Sequence, residues 1–119
     1  MADYPKLAVW EKSHALTLAV YRLSASFPLS ERYGLTSQLR RAASSIPMNI
    51  AEGSGRSTDK DYARFVSNAI GSANEVEYQL CLVRDLKLGE EHEIESMRSR
   101  AAEVRRMLVA LRRTLSDAS

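Results

Sequence analysis

IESMRSRAAEVRRMLVALRRTL, residues 94–115, is the stretch that decides the fold. Ile94, Met97, Ala101, Val104, Leu108, Leu111 and Leu115 recur at alternating steps of three and four. That spacing lines them along one face of an α-helix and leaves the other faces polar. A helix with one apolar stripe must bury it against partner helices. Charge runs with the same direction: Glu90, Glu91, Glu93 and Glu95 crowd the start, and Arg98, Arg100, Arg105, Arg106, Arg112 and Arg113 follow. The order complements the helix dipole, worth about 0.3–1 kcal/mol per well-placed charge.

Working outward, Gly89 separates this segment from a second periodic run, Tyr62, Val66, Ala69, Ala73, Val76, Leu80 and Val83, continuing to Leu88. Gly89 is the expected C-terminal cap of that run, and Thr58 with Asp61 has the spacing of a capping box at its start. Upstream, Leu35, Leu39, Ala42, Ile46 and Ile50 form a third stripe that Gly53 ends, and Leu16, Val20, Leu23 and Phe27 form a fourth that Pro28 stops. The predicted helices span residues 7–26, 35–53, 59–88 and 91–115. No Asn-Gly or Asp-Gly turn and no cluster of β-branched residues supports a strand. Short connections favour antiparallel neighbours, so the fold class is all-α, an up-down four-helix bundle forming a single domain over residues 1–119.

Composition narrows the function. A chain of 119 residues buries one core without staples. Lys and Arg number 17 against 15 Asp and Glu, giving +2 and a pI near 8.8. Dedicated nucleic-acid domains tend to exceed about 9 with clustered charge, so the balance permits a polyanion partner without demanding one. A lone cysteine, Cys81, excludes an internal disulfide framework, and the N-terminus lacks the pattern of a secretory signal. Apolar runs such as Leu80 to Val83 fall far short of the ~20 residues of a membrane span. A cytoplasmic protein with no membrane association is expected.

Pro47 breaks the local rules. Inside the second helix it removes the hydrogen bond to the Ala43 carbonyl, at a cost of about 3 kcal/mol or a kink. Ser44, Ser45 and Asn49 are candidates to hydrogen-bond the freed backbone.

The segment around it, QLRRAASSIPMNIAEGSGR over residues 38–56, resembles the signature of the bacterial four helix bundle protein family, which includes the intervening-sequence proteins of large-subunit ribosomal RNA genes. Val9-Trp10, Tyr21 to Phe27-Pro28, Glu31 to Leu35, Arg64-Phe65, Gly71-Ser72 with Glu75, and Tyr78 to Leu80 fall in the family's order. The resemblance covers Leu7 to Leu88, and the fourth helix matches in heptad character alone. It implies a structural role for Arg41, Pro47, Asn49, Glu52 and Gly53. The same family includes accessory proteins of diversity-generating retroelements, which resemble basic pentameric barrels that bind nucleic acid and a reverse transcriptase. The resemblance therefore implies a homopentamer, an RNA or DNA backbone partner and, if one is encoded nearby, a reverse transcriptase. This chain differs from that subgroup in being nearly charge-balanced.

Enzymatic readings find little support. A di-iron bundle needs Glu-x-x-His on two helices; here only Glu11 and His14 have that spacing, and Gly89 stands three positions before His92. Cys81 lies in an apolar run, where a buried, inert thiol is expected. The loop Gly53 to Thr58 lacks the phosphate-loop pattern and follows a helix instead of a strand, with Asp59 and Asp61 just beyond it. Asn49 and Glu52 are read as partners of the backbone near Pro47 or of Arg40 or Arg41. No catalytic residue, metal or cofactor is expected.

The surfaces say more. Beyond its core stripe the third helix carries Phe65, Ile70, Cys81, Leu82 and Leu86, and the first carries a second stripe of Trp10, His14, Thr17 and Tyr21. Helices apolar on two sides are buried on both, so Trp10, His14, Tyr21, Phe65, Leu82 and Leu86 are candidate oligomer-interface residues. At about 100° per residue, Arg98, Arg105, Arg106, Arg112 and Arg113 share one sector, a ridge that Arg40 or Arg41 could extend. These arginines are the candidate nucleic-acid contacts. No aromatic residue is interleaved among the ridge arginines, so binding there is expected at phosphates with little sequence preference. The expected function is a non-enzymatic homo-oligomeric accessory module that binds nucleic acid backbone; the alternative is an oligomeric protein-interaction scaffold with no nucleic-acid partner.

Overall fold

The computed structural model describes residues 3–118. Its helices are α1 (Ala8–Ser24), α2 (Leu35–Ser54), α3 (Asp59–Asp85) and α4 (Glu91–Ala118), with short 3-10 turns at Tyr4–Lys6 and Leu29–Glu31 and no strand among the described residues. Each helix packs on its sequence neighbour and α1 closes against α4, leaving α1–α3 and α2–α4 as diagonals. That is the four-helix bundle the periodicity predicts. A rise of 1.5 Å per residue makes α4 about 42 Å long, close to the 46 Å long axis of the molecule.

The stripes meet along the bundle axis. Leu16, Val20, Leu39, Ile46, Ile50, Val66, Val76, Leu80, Val83, Ile94 and Leu108 are fully buried. Alanines stand where helices cross closely: Ala43, Ala69, Ala73 and Ala101 are likewise sealed. Leu111 is only half-buried and packs against the core's edge.

Local chemistry fixes the ends. Thr58 accepts from Asp61 N–H at 3.1 Å, the capping bond that starts α3. The end of α3 corrects the sequence reading. Helical geometry stops at Asp85, Lys87 takes a left-handed φ of 58°, Leu88 N–H donates to the Val83 carbonyl at 3.1 Å and Lys87 N–H to that of Arg84 at 3.0 Å. Those two bonds are a Schellman motif closed by a lysine. Gly89 lies beyond it and has another role: a Cβ there would stand 3.0 Å from Leu23 Cδ1 and 3.2 Å from Ile94 Cδ1. Glu90 caps α4 with its carboxylate, accepting from His92 N–H and Glu93 N–H, both at 2.8 Å.

Pro47 is buried within α2, which runs on to Ser54. The freed Ala43 carbonyl is served from another helix: Thr17 Oγ1 of α1 lies 3.1 Å from it and donates. Ser44 bonds Arg41 O at 3.3 Å, and Asn49 Nδ2 donates to Ser45 O at 2.8 Å and to Ser45 Oγ at 3.0 Å. The local residues expected to compensate thus serve neighbouring backbone, while a residue 26 positions upstream serves the one Pro47 exposes.

Candidate nucleic-acid and assembly surfaces

The α4 arginines divide into two layers. Arg98, Arg105 and Arg112, one heptad apart, are held. Arg105 Nε donates to Glu77 Oε2 at 2.6 Å across to α3, and Arg112 Nη1 to Ser67 Oγ at 3.2 Å. Arg98 Nη1 donates to Glu95 at 3.0 and 3.1 Å. Glu95 also accepts from Arg84 Nη1 at 2.9 Å, and Arg84 Nε reaches Asp85 at 3.0 Å. Hydrogen bonds from Arg98 first and Arg84 second hold the Glu95 carboxyl below the usual glutamate range. Bonds to Asp85 and then Glu95 raise the Arg84 guanidinium further above its ordinary value.

Arg106 and Arg113 form the outer layer. Both are exposed, and neither meets an acid among the described residues. The sector read from the sequence is therefore split: three of its five arginines tie α4 to its own chain, and two face solvent. Arg100 is half-buried in a recess with Lys12 and Glu103.

Arg40 and Arg41 do not join that ridge. Arg40 folds back on α1, donating to Ser24 Oγ at 2.7 Å and lying 4.6 Å over the Tyr21 ring. Arg41 is exposed and lines a cleft of about 390 Å3 between α2 and α3, with Tyr33, Ser45, Ser72, Glu75 and Gln79. Ser45 and Ser72 share a 2.8 Å hydrogen bond across the cleft.

The remaining motif residues hold α2 in place. Glu52 pairs with Arg56 at 2.7 Å, four residues on and just past the end of α2, and not with Arg40 or Arg41. Gly53 is buried, and a Cβ on it would lie 2.8 Å from Phe65 Cβ and 2.9 Å from Tyr62 Cδ1. It permits the close approach of α3, whereas the sequence reading made it the helix stop. α2 instead ends one residue later, capped by Gly55.

Among the candidate interface residues, Phe65 does not present an outer face. It is 8% exposed, with the guanidinium groups of Arg56 and Arg64 at 4.5 and 4.8 Å from its ring. Its step from Tyr62 turns it towards Gly53. Tyr21 and Leu86 are exposed, Leu82 is half-buried, and Trp10 stacks on the exposed His14 ring at 5.0 Å. Tyr4 meets Trp10 edge-on at 5.3 Å, a partner the sequence did not suggest. Cys81 is not sealed in the core. It is half-exposed and accepts from Arg84 Nη2 at 3.2 Å, because on a helix Leu80 and Val83, three residues apart, turn inward and the two residues between them do not. Among the described residues no cluster of three His, Cys, Asp or Glu could hold a metal ion, and no helix is long and apolar enough to cross a membrane.

The Arg41–Pro47–Asn49–Glu52–Gly53 segment lies within α2, and the family described as 23S rRNA-intervening sequence protein matches residues 5–110. The chain belongs to that family. The match to the 23S rRNA-intervening sequence proteins runs past Leu88 through most of α4, so the resemblance extends further than heptad character alone. Among solved structures, a protein of unknown function from the S23 ribosomal protein family of Bacteroides thetaiotaomicron superposes with a TM-score of 0.79. It is 24% identical, over 87% of this chain and 97% of that one, and shows the shared fold. No curated protein matches the chain. Neither description names a reaction.

Proposed function

We propose that this member of the 23S rRNA-intervening sequence protein family is a non-enzymatic, cytoplasmic accessory module that assembles as a homo-oligomer, a pentamer by family resemblance, and binds nucleic acid backbone. The observation that carries the reading is the outer layer of α4: Arg106 and Arg113, one heptad apart, are exposed with no acid against them among the described residues. The inner arginines are already bound to Glu77, Glu95 and Ser67 and add field more than contacts. One subunit at +2 binds feebly. A symmetric assembly repeats the two outer arginines, and linked weak contacts raise avidity without new chemistry. A phosphate chain fits such a surface, and each phosphate neutralised adds about 0.7–0.9 to the slope of log affinity against log salt.

Fluorescence anisotropy with labelled single-stranded, duplex and structured RNA at two salt concentrations tests this. Binding should weaken steeply with salt, depend little on sequence, and disappear in Arg106→Glu/Arg113→Glu while the oligomer mass stays unchanged. If the wild-type oligomer shows no salt-sensitive binding, or the double variant binds equally well, the protein is an interaction scaffold. The internal pairing of the inner arginines favours that second reading.

A further inference from the structure

The cleft between α2 and α3 is lined by polar groups that the fold leaves unspent. Its volume of about 390 Å3 is that of a small-molecule site, about 300–1,000 Å3, but such sites are mostly apolar. Here Arg41 on α2 and Glu75 on α3 stand on facing walls, and both are exposed. These opposite charges do not close on each other. Neither side chain makes an ion pair or a hydrogen bond among the described residues. Elsewhere charges that face across helices do pair, Arg105 with Glu77 at 2.6 Å and Lys12 with Glu103 at 3.5 Å.

Deeper in the cleft, Ser45 and Ser72 share a 2.8 Å hydrogen bond, and Ser45 Oγ also accepts from Asn49 Nδ2 at 3.0 Å. Two hydroxyls carry two protons and their mutual bond uses one. The other has no acceptor among the described residues and is left to donate into the cleft. Gln79, 8% exposed, serves as wall alone, since its amide oxygen is sealed from solvent.

Charge decides what such a cleft can hold. A charge covered by a ligand loses hydration and recovers that loss only from an opposite charge. A simple anion would meet Arg41 but also the Glu75 carboxylate, and a simple cation would meet the reverse. A neutral base or sugar would cover both charges and answer neither. A molecule with a carboxylate and an ammonium group answers both, and the spare serine proton adds a donor for the carboxylate.

We propose that the α2–α3 cleft binds a small zwitterion, a free α-amino acid, with its carboxylate on Arg41 and the serine pair and its ammonium group on Glu75. Tyr33, 86% exposed, is the aromatic surface the lining offers to the ligand's side chain. Glu75 turns a phosphate chain away, so the site is separate from the α4 arginines and independent of any nucleic-acid role.

Saturation-transfer difference NMR of the full-length protein with each of the common L-amino acids at millimolar concentration tests the proposal, and calorimetry then gives the Kd. At least one amino acid should bind, whereas acetate, methylammonium and guanosine should not. Arg41→Gln and Glu75→Gln should each weaken that amino acid by about tenfold or more, the worth of one charged hydrogen bond. The amide of the same amino acid lacks the carboxylate, so Arg41→Gln should leave its weaker binding unchanged. Both side chains are exposed, and unchanged helical circular dichroism with cooperative melting establishes that each variant folds; Arg41→Ala and Glu75→Ala replace a Gln variant that does not. Absence of binding by every amino acid overturns the site, as does an affinity that neither variant changes. An amide that loses as much as the amino acid in Arg41→Gln overturns the assignment of the carboxylate to Arg41. Guanosine binding more tightly than any amino acid would make the cleft a base pocket and overturn the zwitterion.

Discussion

Replacing Thr17 with Val should reveal how α2 carries a proline at its centre. The Ala43 carbonyl has lost the N–H of residue 47, Ala43 is fully buried, and Thr17 Oγ1 is the cross-helix donor at 3.1 Å. Thr17 also lies 2.8 Å from Ser13 O, but that carbonyl keeps its ordinary partner, the backbone N–H of residue 17, so losing the hydroxyl there costs little. Valine matches threonine in shape and helix propensity. What remains is a buried carbonyl left without a donor, about 1–3 kcal/mol. At roughly 4 °C per kcal/mol for a domain of this size, Tm should fall by about 4–12 °C. Pro47→Ala supplies the check, because an N–H at position 47 can donate to Ala43 O directly. In that background Thr17→Val should cost only a few tenths of a kcal/mol, giving a coupling of about 1 kcal/mol or more. Thermal and urea unfolding of the four proteins by far-UV circular dichroism, at one fixed protein concentration because assembly shifts Tm, measures it. An equal cost in both backgrounds would refute the assignment of Thr17 as the compensating donor.

Two further outcomes follow from the same contacts. Gly53→Ala should gain about 1 kcal/mol of helix propensity and lose about 1–3 kcal/mol to overpacking, since the new Cβ meets Phe65 Cβ at 2.8 Å; a lowered Tm is expected, and a raised one would show that α3 yields freely. Acid sensitivity should centre on the start of α4, where hydrogen bonds from His92 N–H and then Glu93 N–H hold the Glu90 carboxyl below its ordinary range, as Arg98 and Arg84 do for Glu95. A lowered folded-state pKa means stability that is complete above the unfolded value, about 4.3 for glutamate, and lost as pH falls through the folded value. Glu90→Gln with Glu95→Gln should flatten the Tm profile below that pH, and an unchanged acid slope would remove these two groups from the account.

The fold was legible because one pattern repeats in every helix. Steps of three and four put Ile94, Leu108, Val76, Leu39 and Leu16 on inward faces, and nothing in the rest of the chain contests that placement. Helix ends were read less well for a definite reason. Capping depends on backbone conformation, so Gly89 drew the C-cap by composition while Lys87 took the left-handed position under the Val83 and Arg84 carbonyls. Thr58, whose capping bond is local and side-chain based, was read correctly. Gly53 shows the same limit in packing, since no spacing rule announces that two helices will approach within the radius of a methyl group.

The candidate surfaces were legible as sectors but not as contacts. A helical wheel places Arg98, Arg105 and Arg112 beside Arg106 and Arg113, and it has no access to Glu77 and Ser67 on a helix begun 30 or more residues earlier. Long-range polar partners decide which charges are spent internally, and they follow from the crossing of α3 and α4 alone. The orphaned groups are the converse case. Trp10 stands in the sequence as one member of a stripe and Gln79 only within a family-like run, and the burial of their indole N–H and amide oxygen without a partner shows only once the neighbouring helices are in place.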